Sequence, residues 1–150
     1  MIYCVMKLIS ENEGETGDVA KKFAEGIRGG EIFVLQGELG AGKTLFTKFF
    51  ARALGVKEEV TSPTFMIMKN YYFTKNDRNL NLIHIDAYRF EEPSEAESIG
   101  FEEIVSNPDN VIVVEWPERI WPSIPTWAKL IKIEYIDENR RNITIEENSK

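Results

Sequence analysis

The segment Glu31-Ile32-Phe33-Val34-Leu35-Gln36-Gly37-Glu38-Leu39-Gly40-Ala41-Gly42-Lys43-Thr44 decides the reading of this chain. Residues 31–36 form a short, mostly apolar run that suits a buried parallel strand. Residues 37–44 then match G-x-x-x-x-G-K-[ST] at every position. Glycines let the backbone fold around an anion with several N–H groups pointing inward. A helix over residues 43–54 follows, with Leu45, Phe46, Phe49, Phe50, Ala53 and Leu54 expected inward and Gly55 as its stop. Its positive N-terminal end faces the same anion. Lys43 can reach the outer phosphates of a nucleotide, and the Thr44 hydroxyl can ligate magnesium.

Outward from this core, Val19, Phe23 and Ile27 make one apolar stripe on a helix expected over residues 16–28, ended by Gly29-Gly30. Residues 64–73 and 80–86 read as two strands joined by a polar turn at 74–79. A short helix is expected over 95–104, closed by Asn107-Pro108-Asp109. Residues 111–114 are a β-branched run suited to another buried strand, and 130–136 with 141–145 alternate as a terminal hairpin. The expected fold is α/β: a three-layer P-loop NTPase-like domain over residues 1–150, with a mixed, mainly parallel central sheet and a C-terminal antiparallel hairpin.

Composition limits the function. Apolar content of 43% and charged content of 29% fit a single globular domain of 150 residues. The net charge of −7 argues against independent nucleic-acid binding, which rests on many Lys and Arg contacts to phosphate. The lone Cys4 excludes an intrachain disulfide and points to a cytoplasmic setting. The apolar patch 1–6 is too short for a signal segment, and no apolar run approaches the roughly 20 residues that span a bilayer.

A P-loop protein needs a second group on the metal side, usually an acid after an apolar strand. Glu115 follows residues 111–114 and Asp86 follows Leu82-Ile83-His84-Ile85. Carboxyl ends of parallel strands face the ligand crevice, so both acids can reach it. Glu115 follows the cleaner apolar run and is favoured for the metal, leaving Asp86 to orient the attacking water or take its proton. His84, the only histidine, is expected to be a hydrogen-bonded structural residue sharing a strand face with Asp86. Thr61-Ser62-Pro63-Thr64-Phe65 reads equally as a nucleotide-sensing loop or a Ser-Pro turn. Trp116 is expected to pack, and Arg119 is a candidate for phosphate charge. Thr74-Lys75-Asn76-Asp77 has the T-K-x-D form of a guanine-reading loop but lies in a polar hairpin turn, with no D-x-x-G after either acid, and is read as surface.

Several of these segments occur together in one family. Glu38-Leu39-Gly40-Ala41-Gly42-Lys43-Thr44, Ser62-Pro63-Thr64-Phe65, His84-Ile85-Asp86-Ala87-Tyr88-Arg89 and Val114-Glu115-Trp116-Pro117-Glu118-Arg119, in this order, resemble the bacterial TsaE (YjeE) family. The resemblance covers most of the chain, from Glu15-Thr16 to the strand ending in Glu115. It implies ATP rather than GTP, slow intrinsic hydrolysis, and work with the TsaB and TsaD proteins in forming N6-threonylcarbamoyladenosine at position 37 of tRNAs. By that likeness Leu39, Gly40, Ala41, Gly42, Lys43 and Thr44 contact the phosphates, Thr44 and Glu115 hold magnesium, Thr16 lies near the adenine and Asp86 aids catalysis. The tRNA would be held by partners, in accord with the acidic surface, and the ATPase itself is expected to be a monomer. The alternatives are a small-molecule P-loop kinase, against which the absence of an arginine-bearing lid speaks, and a nucleotide-gated binding module without turnover.

Overall fold

The computed structural model describes residues 2–149. Seven strands form one sheet: β1 (Ile2–Ser10), β2 (Ile32–Gln36), β3 (Met68–Lys75), β4 (Arg78–Asp86), β5 (Asn110–Glu115), β6 (Lys129–Tyr135) and β7 (Arg141–Ser149). Their spatial order is β1-β7-β6-β2-β5-β4-β3. The centre, β6-β2-β5-β4, is parallel throughout. β3 is antiparallel to β4 at one edge, and β7 lies antiparallel between β6 and β1 at the other. The sheet is therefore mixed with five strands running one way, as the sequence implied.

The central strands read as uninterrupted apolar runs because both of their faces are covered. Odd-numbered side chains of β2 and β5, Phe33, Leu35, Val111 and Val113, join Leu80 and Leu82 under α1 (Glu13–Glu25) and α2 (Lys43–Leu54). The alternate set, Ile32, Val34, Ile83, Ile85, Ile112 and Val114, packs with Phe90, Phe101 and Ile120 on the opposite face. That second layer consists of short 3₁₀ segments, Pro93–Ile99 and Pro117–Ser123, and α3 (Phe101–Ser106). Under α2, Phe33 meets Phe50 edge-on at 5.1 Å and Phe46 stacks on Phe50 at 6.5 Å. Such pairs contribute about 0.5–1.5 kcal/mol each beyond the area they bury.

Four expectations shift. First, α1 starts earlier than residue 16 because Asn12, not Thr16, caps it, accepting from the Glu15 N–H at 3.0 Å. It ends at Gly26; its fully buried side is Thr16, Gly17, Ala20 and Ala24, while Val19 and Phe23 of the expected stripe are partly buried against the same core. Small residues win because α2 lies close: a Cβ on Gly17 would come within 2.7 Å of the Phe49 ring. Second, the buried side of α2 includes Thr47 and Ala51, whereas Ala53 is exposed. Third, β3 starts at Met68, since the chain turns through residues 64–66 and Ile67 sits at φ +66°. The hairpin then closes through Asn76 and Asp77 alone, both at positive φ as a two-residue turn requires. Fourth, the helix expected over 95–104 is cut by Gly100 at φ +70° into a 3₁₀ turn and α3.

β1 was not foreseen. Its Tyr3, Val5 and Ile9 carry strand propensity, yet a short apolar patch alone does not say which strand it will pair with. Among the described residues no helix is long and apolar enough to cross a membrane.

Candidate active site

Residues 37–42 connect β2 to α2 at the carboxyl end of the parallel centre. Gly37 is required by space, since a Cβ there would meet the Ile133 carbonyl of β6 at 2.5 Å. Gly42 is required by conformation: it caps α2 at φ +113°. No side chain caps this helix, and its first bond runs from the Phe46 N–H to the Gly42 carbonyl. The amides of the first turn therefore lack intrahelical acceptors and face the loop with the helix dipole behind them.

Lys43 is buried, and its ammonium lies in the mouth of the loop, donating to the carbonyls of Gly37 and Glu38. It stands 4.3 Å above the centre of the Trp116 ring. Burial lowers its pKa, while the charges of Glu115, Glu118 and Asp86 oppose that shift. Trp116 holds this place from a left-handed backbone conformation, φ +58°, directly after β5. Its other neighbour is Tyr88, 5.0 Å away. Arg119 rests over the Tyr88 ring, 5.7 Å from its centre, and is exposed. A cavity of about 540 Å³ opens beside the loop, lined by Gly37, Glu38, Trp116, Glu118, Lys132 and Tyr135 among others.

The two acids end neighbouring strands in register: Asp86 is the β4 partner of Glu115 on β5. Paired residues of a parallel ladder point to the same face, here the face that carries α2. The Thr44 hydroxyl, from the first turn of α2, lies 3.3 and 3.5 Å from the two oxygens of Glu115. His84 approaches the same carboxylate from the core, with Nε2 2.6 Å from Oε2. Asp86 has different company: Oδ2 accepts from the Thr64 hydroxyl and Oδ1 from the Tyr88 N–H, each at 3.0 Å. Ser62 and Thr64 exchange a hydrogen bond of 2.7 Å. The loop after α2 thus enters the site through Thr64, while Thr61 and Ser62 are exposed.

The structure brings Lys43, Thr44, Asp86 and Glu115 together. Gly40, Ala41 and Gly42 contribute backbone, and so does Leu39, whose side chain is 87% exposed. Thr16 stands apart: it is buried, and its hydroxyl shares a 2.7 Å hydrogen bond with Ser10 at the end of β1. His84 is buried and hydrogen-bonded as expected, and its partner is Glu115 on the next strand. Arg141 was missed altogether. From the start of β7 its Nε donates to the Ala41 carbonyl at 2.9 Å, bracing the glycine-rich loop from 100 residues away. No local motif announces such a contact. Thr74, Lys75, Asn76 and Asp77 lie at the far end of β4, in or beside a surface turn.

The sequence is matched by a family model described as "Threonylcarbamoyl adenosine biosynthesis protein TsaE" over residues 10–143. Among similar proteins, the tRNA threonylcarbamoyladenosine biosynthesis protein TsaE of Bacillus subtilis is 40% identical over 139 residues, covering 93% of this chain and 84% of that one. The TsaE protein of Aquifex aeolicus is 38% identical over 141 residues, covering 93% and 94%. The crystal structure of Bacillus subtilis YdiB superimposes with a TM-score of 0.74 at 31% identity, covering 99% of this chain and 89% of that one. On the strength of these matches the chain belongs to the TsaE family of tRNA threonylcarbamoyladenosine biosynthesis.

Proposed function

We propose that this protein binds ATP with magnesium at the loop 37–44, hydrolyses it slowly, and by doing so serves the proteins that form threonylcarbamoyladenosine on tRNA. The observation that carries the reading is the pairing of Asp86 and Glu115 in register beside Thr44, at the mouth of a loop with uncapped helix amides. Magnesium prefers oxygen ligands and keeps several waters, so it needs only one or two protein groups beside the phosphates. Thr44 and Glu115 are such a pair. The described residues hold no cluster of three or more His, Cys, Asp or Glu side chains that would suit a metal bound by protein alone. When bound, the ion would neutralise charge on the phosphates.

The chain's own groups supply the rest. The first-turn amides and Lys43 grip the phosphates once the ammonium exchanges the Gly37 and Glu38 carbonyls for phosphate oxygens. Asp86, fixed at both oxygens by Thr64 and Tyr88, keeps lone pairs free to orient the attacking water and take its proton. Leu39, Gly40 and Ala41 complete the loop, and Thr16 is the candidate on the base side. TsaB and TsaD are the proposed partners, with tRNA reached through them.

Calorimetry with magnesium-ATP tests the nucleotide reading, and binding to a TsaB–TsaD pair with and without ATP tests the partnership. Saturable heat and nucleotide-dependent association are expected. Absence of heat from the folded protein, with partners present, would overturn the first; absence of association in both states would overturn the second.

A further inference from the structure

His84 is completely buried, and Nδ1 has no hydrogen-bond partner among the described residues. Nε2 has one partner, the Glu115 carboxylate at 2.6 Å. An ionised carboxylate only accepts, so in the neutral ring Nε2 carries the proton and Nδ1 is a bare acceptor. An unsatisfied buried acceptor is unfavourable, and a core position needing only bulk would be better filled by leucine. The ring is therefore held at this position by what its Nε2 end does. Its position fits: β4 pairs His84 with Val113, so the imidazole projects from one strand toward the acid two residues further along the next. The carboxylate is gripped from below by His84 and from α2 by Thr44, with Oε1 on the Thr44 side at 3.3 Å.

We infer that His84 is the positioning residue for Glu115, fixing its carboxylate through Nε2 so that it presents an oxygen beside Thr44 to a divalent cation. This rests on the magnesium-nucleotide reading given above. Outer partners of metal-ligating groups commonly set metal affinity about 10- to 100-fold. The function of the ring is then electrostatic and geometric, and a side chain with an N–H in the place of Nε2 should replace it. Glutamine has its amide nitrogen near that place, whereas the asparagine nitrogen falls near Nδ1.

The test compares the full-length wild type with His84→Gln, His84→Asn and His84→Leu by titration with ATP, once with EDTA and once with magnesium. Metal-free affinity should be unchanged in all four. The tightening produced by magnesium should persist in His84→Gln and fall about 10- to 100-fold in His84→Asn and His84→Leu. Equal loss in the glutamine and leucine variants, or no loss in leucine, would overturn the inference while leaving the nucleotide site intact. Absence of magnesium-dependent tightening in the wild type would instead sink the parent reading. A second measurement needs no variant at position 84. The single histidine gives one set of ring nitrogen signals in nitrogen-15 NMR of the nucleotide-free protein. Protonation at Nε2 with bare Nδ1, and a shift of the Nε2 signal in Glu115→Gln, are expected; the opposite tautomer would refute the role.

Discussion

Asp86 and Glu115 are neighbours in one ladder, at the same height and on the same face, yet they are held by opposite means. Glu115 is fixed by the core, through His84 on a central strand and Thr44 on the helix. Asp86 is held by Thr64 of the loop before β3 and by the Tyr88 amide just past the end of its own strand. That loop returns to the sheet through Ile67, a β-branched residue at φ +66° whose carbonyl accepts the Asp86 N–H at 2.8 Å. A bulky residue in the left-handed region costs about 1–3 kcal/mol and persists only where the surroundings impose it. The acid suited to holding a metal is thus built into the packed interior. The acid suited to chemistry depends on a segment that carries exposed Phe65 and Met66 into solvent.

The contrast can be broken in several ways. The largest effect is expected from Asp86→Asn, which keeps the acceptor oxygen but removes the base. Turnover should fall about 10²- to 10⁴-fold with magnesium-ATP affinity nearly unchanged, as read from steady-state hydrolysis beside calorimetry. Equal loss of affinity would erase the proposed division of labour. Lys43→Ala strikes both sides, because its ammonium feels the charge of each acid. Losing charge-assisted bonds worth about 1.5–3 kcal/mol apiece should weaken nucleotide binding about 100-fold, measured by titration. Thr64→Val sharpens the comparison by cutting the hydroxyl's tie to Asp86, along with its bond to the exposed Ser62, while leaving the partners of Glu115 untouched. Hydrolysis should drop about tenfold while the magnesium dependence of binding stays as it was. A control comes last: Asp77→Gly relieves positive φ at the far end of β4. About 0.5–1 kcal/mol of stabilisation is expected in a thermal melt, with neither acid's readout altered.

Much of this arrangement was legible in the sequence for a physical reason. The loop, its helix and both strand-end acids are encoded by contiguous residues, so spacing alone places them. α2 runs over Lys43–Leu54 as its apolar periodicity and Gly55 imply. What escaped depends on contacts between distant segments. The Arg141–Ala41 and His84–Glu115 bonds span 100 and 31 residues, and no window of sequence contains both partners. Part of the buried side of α1 escaped for a related reason: Gly17 and Ala20 face inward because of what α2 brings against them, beside the partly buried Val19 and Phe23.

β7 lies between β6 and β1, so the first strand of the chain finds its place only beside the last. During synthesis, residues 2–10 must wait unpaired while more than a hundred others leave the ribosome. The brace on the glycine-rich loop arrives at the same moment, since Arg141 opens β7. A chain stopped before residue 141 would therefore carry an intact G-x-x-x-x-G-K-T motif and still lack the Arg141 brace on its glycine-rich loop.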